Sequence, residues 1–464
     1  MKNNIITTII LLICAGTSLA QNNMTLYNMA PLPQRLSTNS ALIPDCKWYL
    51  GMPLMSSTNI SYSSSTLSLA QIDETLVPNS RGKYTIDLDK LSNSLGMQGS
   101  YMSLGLNQEW LNFGFTVGES MFTLGVNEKI KTRIDLPTDL FKVAFEGNGG
   151  ENLGYDFNFN LGLEVIHTRE FALGYSRSFL EDKLRLGAKV KYIRGMNAIS
   201  TVNNDIVFNT NEDNFAYTLT GDIEVNASTP LLDSAYIVAN PSAAIFGSPE
   251  NNGLGFDFGM RLDLTDRLVL SASVIDLGSI KWNAQTTNIK SKNPGASFTY
   301  RGIDINEYIG DSASAGQGFE ALGDTLVEVF ALDTTKNSFS TGLLGEFYLG
   351  ANYKITERQN AGLLLYGSFY NQKFYPTATV SLNTQLGRVL ALSGSYTVSR
   401  GSYFNVGVGL ALNLKAEQFY FVGDNLLGVI SPKAKTVDIR FGWNHTFGRK
   451  KKEKKDKKRG IKDE

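Results

Sequence analysis

The sequence predicts an all-β protein: a transmembrane antiparallel β-barrel of the outer-membrane type, with about 14 to 18 strands, a short helix and one long extracellular loop. Three observations predict it. Segments of about ten residues alternate apolar and polar side chains, the length and period a tilted strand needs to cross a bilayer with one face in lipid and the other in water. A leader-like stretch opens the chain, yet no later stretch holds the roughly 20 consecutive apolar residues of a spanning helix. The polar connections alternate between short turns and long loops, as the two rims of such a barrel do.

The elements follow in chain order. Lys2, an apolar run from Ile5 to Cys14 and the small residues of Ser18-Leu19-Ala20 form a secretory signal, residues 1–20, cut after Ala20. Cys14 follows Ile13 where a lipoprotein signal wants a small residue, so it leaves with the leader. Cys46 is then the one mature cysteine and no intrachain disulfide can form. Residues 21–448 make the barrel, with 21–96 an N-terminal segment that serves as plug or first strand. Stretches 47–69, 97–106, 109–118 and 121–131 read as strands. Leu136 to Gly147 reads as a short helix with Pro137 in its first turn and Gly147 at its end, placed as a periplasmic cap.

From Tyr155 onward the alternation is regular. Tyr155, Phe157, Phe159, Leu161 and Leu163 oppose Asp156, Asn158, Asn160 and Glu164, and Leu184, Leu186, Ala188, Val190 and Tyr192 oppose Lys183, Arg185, Lys189 and Lys191. Leu254 to Leu264 opposes Asp257, Arg261 and Asp263, while Leu343, Phe347, Leu349, Ala351 and Tyr353 oppose Glu346, Asn352 and Lys354. The last strand, Thr436 to Phe447, sets Val437, Ile439, Phe441, Trp443 and Phe447 against Asp438, Arg440, Asn444 and Thr446, with His445 a misfit on the apolar face. If Phe447 ends at the periplasmic rim, the turns at 265–267, 356–358, 387–388 and 415–417 are periplasmic, and the connections 227–253 and 279–341 lie outside.

Charge is unevenly spread. The chain's net is −1, but residues 449–464 hold ten Lys/Arg against four Asp/Glu, so the tail carries +6 and the rest −7. A stretch so dense in charge predicts a disordered periplasmic tail, and a secreted chain argues against a nucleic-acid partner.

No enzyme is expected. His167 and His445 have no carboxylate or cysteine at metal-ligand spacing, and no nucleophile elbow, Walker loop or dinucleotide fingerprint occurs. No cofactor or metal is expected either. Asp257, Arg261, Glu346, Lys354 and Arg440 fall on polar faces and are candidate lumen-lining charges, partnered across strands. In the longest loop Phe319, Leu322, Leu326, Val329 and Phe330 recur at helical spacing, an amphipathic helix that would pack on the rim or capture an apolar ligand.

Several short motifs carry a resemblance. They are Leu26-Tyr27-Asn28-Met29, Asn39-Ser40-Ala41, Trp48 to Pro53, Leu136-Pro137 to Asn148, Leu173-Gly174-Tyr175 with Lys183 to Tyr192, and Val274 to Trp282. In this order they resemble a Bacteroidota outer-membrane family catalogued as a domain of unknown function, whose layout is similar to the fatty-acid transporter FadL and the secretion component PorV. The resemblance implies a barrel in the outer membrane and no substrate. The tail after Phe447 departs from relatives that end on that aromatic residue. Two functions follow as expectations: FadL-like transport or binding of a hydrophobic or amphipathic small molecule, or a PorV-like scaffold that docks secreted or surface proteins through its outer loops. Outer-membrane lipid is the partner common to both.

Overall fold

The computed structural model describes residues 23–65, 68–78, 84–87, 90, 100–230, 247–301, 328–370, 373–399, 402–425 and 435–448. Fourteen antiparallel strands close on themselves. Strand β1 comes in two pieces, Trp48–Gly51 and Ser57–Ser64; β2 is Ser100–Val117, β3 Ser120–Leu136, β4 Gly162–Phe179 and β5 Leu184–Thr210. Then follow β6 (Asn252–Asp263), β7 (Leu268–Trp282), β8 (Glu346–Lys354), β9 (Gln359–Tyr370) and β10 (Lys373–Leu386). The wall ends with β11 (Leu390–Ser399), β12 (Ser402–Leu414), β13 (Glu417–Gly423) and β14 (Thr436–Phe447). Trp48 lies opposite both Phe115 of β2 and Phe447 of β14, so β1 is the strand that closes the ring. Closure removes every free strand edge from the wall.

Alternation decides what faces out. On β9 Leu363 and Leu365 are 45% and 47% exposed while Leu364 between them is fully buried. On β14 Asp438, Arg440, Asn444 and Thr446 are buried, and Val437, Ile439, Phe441, Trp443, His445 and Phe447 point outward. His445 has company there: its Nδ1 lies 2.8 Å from Glu417, Trp443 Nε1 donates to the same carboxylate, and its ring stacks on Phe447. This puts the misfit in a polar patch at the rim where β14 ends, here called the tail rim. The turns 118–119, 180–183, 264–267, 355–358, 387–389 and 415–416 share that rim, and every longer connection lies at the opposite, loop rim.

Four readings of the sequence change. The described part of stretch 97–106, residues 100–106, and the stretch 109–118 belong to one strand, β2, with a bulge between Glu109 and Leu111 that swaps the apolar face and so mimics a strand break. Tyr155 to Glu164 is not a crossing. Asp156–Asn158 pairs with the far end of β5, and the crossing strand is β4, which begins at Gly162. Dropping that crossing inverts the side of the helix before it: α2 (Thr138–Glu146) follows β3 and lies at the loop rim, not as a cap at the tail rim. Pro137 is its N-cap, and Gly147 ends it with φ +76°, a conformation that suits glycine. Lastly, Leu343 precedes β8 and packs inward against the cluster of Ile193, Ile280 and Trp282 instead of sharing the outer face with Leu349.

The loop rim carries further structure. α1 (Leu69–Thr75) has a capping box from Ser68 and Gln71. Strand β5, at 27 residues, runs well past the wall and pairs with Tyr217–Ser228, which continues to Thr286–Ser291 and Ala296–Tyr300. Among the described residues of the stretch 279–341, much is therefore sheet. Phe319, Leu322 and Leu326 lie outside the described residues. Val329 and Phe330 are half-buried, and Phe330 sits close over Gly221 of that outer sheet.

Candidate functional site

The lumen is occupied by the chain itself. Residues 23–46 thread it as two 3-10 turns, Leu26–Asn28 and Pro33–Ser37, joined by irregular backbone. Such backbone can be buried only if the wall supplies its hydrogen-bond partners. It does so strand by strand. Asp424 accepts from the amides of Met24 (2.9 Å) and Thr25 (2.7 Å). Asn28 donates to Ser381, and Gln34 and Asn444 exchange a reciprocal amide pair at 2.7 and 3.0 Å. Ser273 donates to the carbonyl of Thr38, Ser176 to that of Ser40 and Lys189 to that of Leu36. Wall glycines make room, Gly187, Gly259, Gly362 and Gly407 among them. A Cβ on Gly187 would sit 2.5 Å from the Ser40 carbonyl, and one on Gly259 2.2 Å from Asn39.

Apolar anchors complete the plug. Met24 and Tyr27 join Leu42, Ile275, Tyr348 and Leu364, while Leu26, Met29 and Leu32 pack on Ala391, Ala411 and Val422. Burial raises the phenol pKa of Tyr27. Arg35 is the plug's one charge mismatch: burial and the nearby Arg261 and Arg185 push it down to about 10, still charged at neutral pH, and its Nε has no hydrogen-bond partner.

Above the plug, toward the loop rim, lies a chamber of about 130 Å³. Its wall is a network of paired charges. Lys191 lies 2.6 Å from Asp257 and 2.5 Å from Asp276, and Lys129 lies 2.8 Å from Glu170 and 3.1 Å from Asp276. Asp276 reaches this position from a bulge in β7, at φ +57°, and its amide donates to Asp257 at 2.9 Å. Four further oxygens on the chamber's lining, Asn107 Oδ1, Glu170 Oε2, Asp257 Oδ2 and Ser368 Oγ, are buried without a hydrogen-bond partner. Directly adjoining is a second cavity of about 90 Å³, where Ile166, Ile280 and Leu343 supply an aliphatic side and Ser103, Lys129, Lys131, Glu170, Asp276 and Leu344 are shared with the first. The pair can hold a molecule with a polar and an apolar end.

Of the residues singled out in the sequence, Asp257 and Glu346 line this chamber, Glu346 accepting from Tyr348 at 2.7 Å. Arg440 lines it too and donates to Ser57. Arg261 and Lys354 lie below the plug, in a vestibule of about 700 Å³ at the tail rim, paired with Asp263 and Glu357. The sequence reading missed Lys129, Glu170 and Asp276. Lys129 alternates with Lys131 and Arg133 and was open to detection; Asp276 was hidden by its bulge. The histidines also have partners from other strands. His167 contacts Glu128 and Asn197 on the outer wall, and Arg169 joins the same carboxylate at 2.5 Å.

A closed barrel plugged by its own N-terminal segment, with a charged chamber above the plug, is thus the class of protein that the fold and the site define. The model of a family of unknown function, DUF5723, matches residues 41–424, and the chain belongs to that family. No curated protein matches it. Among solved structures it is similar to a Pseudomonas aeruginosa FadL homologue, at 10% identity and a TM-score of 0.44 over 94% of this chain and 100% of the other. It is also similar to the P. putida toluene transporter TodX (11%, 0.38, covering 94% and 97%) and the Ralstonia pickettii toluene transporter TbuX (10%, 0.39, covering 93% and 96%). These are likenesses of outline, and the fold of this chain rests on its own strand pairing.

Proposed function

We propose that the protein is an outer-membrane barrel that takes up an amphipathic small molecule from the loop side, holds it in the chamber, and releases it inward when the N-terminal segment shifts. The observation that carries this reading is the junction of the two cavities, one walled by the paired charges of Lys129, Lys191, Asp257 and Asp276, the other with an aliphatic side of Ile166, Ile280 and Leu343. A purely hydrophobic molecule would have to lie among Lys129, Lys191, Asp257 and Asp276, so the polar end is part of the ligand's definition. A head group that donates hydrogen bonds suits a lining that carries Glu109, Glu170, Asp257, Asp276 and Glu346. In this reading the chain is not an enzyme, the tail rim faces the periplasm, and residues 449–464 extend there.

The test uses decanol and decane as probes on detergent-purified protein. Decanol is expected to bind and decane not; Ser368→Ala should weaken decanol about three- to tenfold, the worth of one ordinary hydrogen bond. Leu344→Asp should abolish binding while the barrel still closes. Equal affinity for both probes, or none for either, overturns the reading. A scaffold role has its own observation: Tyr155, Phe157, Phe208, Tyr217 and Tyr300 form a continuous aromatic row across one face of the outer sheet. If neither probe binds and a surface protein is lost on Tyr217→Ala, the scaffold reading takes over.

A further inference from the structure

The outer wall is not uniformly convex. A groove of about 610 Å³ crosses β4, β5, β6, β7 and β8 on the face away from the lumen. Two rows in register line it. Arg177, Leu186, Met260, Ala272 and Leu349 form one, and Tyr175, Ala188, Phe258, Val274 and Phe347 the other. Ala188 and Ala272 are its small members, and around them the wall gives way. On the inner side of the same strands stand Ser176, Gly187, Gly259 and Ser273, all pressed against residues 38–41 of the plug. The wall is drawn in to meet the plug, and the dent outside is the consequence.

We propose that this groove holds one acyl chain of an anionic phospholipid, with the lipid phosphate on Arg177. Arg177 is the one charged residue among those lining the groove, and its ion pair is weak: Glu119 lies 3.9 Å away, both side chains are about half exposed or more, and its other polar neighbour is the neutral hydroxyl of Tyr175. Its guanidinium also lies over the Phe179 ring at 5.6 Å, an aromatic at the level where a bilayer interface would fall. The groove then climbs away from the rim. Arg177 stands two residues from the end of β4, whereas Leu349 stands five from the end of β8. Four strand spacings of about 4.8 Å make it roughly 19 Å long. With strands tilted by about 40°, that length rises roughly 12 Å toward the bilayer centre, close to the depth of one leaflet's hydrocarbon. Head at the interface and tail toward the midplane is the posture of a lipid already in that leaflet. The proposal rests on the membrane reading of the barrel but not on the identity of the lumen ligand.

The experiment counts lipids retained by the full-length mature protein. Protein is reconstituted into vesicles of phosphatidylglycerol and phosphatidylcholine in equal parts, extracted into detergent, and examined by native mass spectrometry. One phosphatidylglycerol per barrel is expected to survive extraction. Ala272→Trp should fill the groove and remove it, with Ala188→Phe as a second filling variant should the first fail to close. Ala378→Trp, an outward position on β10 away from the groove, should leave it. Arg177→Gln should keep a lipid but lose the preference for phosphatidylglycerol over phosphatidylcholine. Retention unchanged by both filling variants, or no headgroup preference in the parent, overturns the proposal. A chain that stays in water without detergent would instead sink the membrane reading beneath it.

Discussion

Gly187 shows how one residue can hold a lumen shut. Its Cα faces the plug so closely that a Cβ would fall 2.5 Å from both C and O of Ser40 and 2.8 Å from the amide of Ala41. These are backbone atoms, which cannot swing aside as a side-chain tip can. Gly187→Leu should therefore displace residues 38–41 while leaving the outer face of β5 unchanged, at a cost of about 1 to 3 kcal/mol for overpacking. The chain supplies its own probe. Cys46 lies in a buried cluster with Leu36, Tyr49 and Met121. The parent should resist a maleimide reagent in detergent, and Gly187→Leu should label within minutes. Arg35 makes the opposite case. A buried guanidinium near Arg185 and Arg261, with an unpartnered Nε, is a poor fit, and a methionine of similar length removes the repulsion. Arg35→Met should raise the melting temperature and slow the labelling of Cys46.

As an element, the plug has a character of its own, because the wall closes without it. The pairings that complete the ring are made by 48–64 with β2 and β14, and none involves residues 23–46. Where the plug hydrogen-bonds to the wall, beside its apolar anchors, the wall offers Ser176, Ser273, Ser381, Gln418 and Asn444, groups that water satisfies as well as a peptide does. Deleting 23–45 should leave a folded barrel with a continuous aqueous path, read in planar bilayers as a steady conductance absent from the parent. A deletion that prevents assembly would make the segment part of the folding core. The element scale is also where sequence and structure part. A strand with one wet and one dry face announces itself by its period, which is why β5, β6, β8 and β14 were legible and why Asp257, Glu346 and Arg440 could be set on polar faces. A plug has no period, since its 3-10 turns bury all sides at once, so 21–96 stayed open between plug and strand. Bulges defeat the same signal: the extra residue between Glu109 and Leu111 split one strand into two, and the extra residue in β7, where Ile275 and Asp276 oppose Asp257, carries Asp276 inward, out of the pattern. The chamber was only half legible because its ion pairs join residues far apart in the chain, Lys129 to Asp276 above all.

For the molecule as a whole, the question is what solvent surrounds the wall, and depth gives the answer. Leu365 and Leu386 are both outward, at 47% and 48% exposure, so water or a uniform apolar medium would treat the two positions alike. They differ in height. Leu365 stands at the middle of β9, six residues from its start at Gln359, and Leu386 ends β10 at the tail rim. In a bilayer an arginine at mid-height is cut off from both interfaces and costs about 2 to 4 kcal/mol, whereas near an interface the same side chain snorkels to water and costs about 0 to 1. Leu365→Arg and Leu386→Arg should therefore separate by two or more kcal/mol when unfolding from short-chain phosphatidylcholine vesicles is followed against urea. The same pair in detergent micelles should separate less, because a micelle has no fixed midplane. Equal costs in vesicles would mean that the apolar face of the barrel meets something other than lipid. The height at which the penalty peaks, mapped next through Leu363 and Leu382, would also fix how the tail rim and the groove beside Arg177 sit relative to the nearer leaflet.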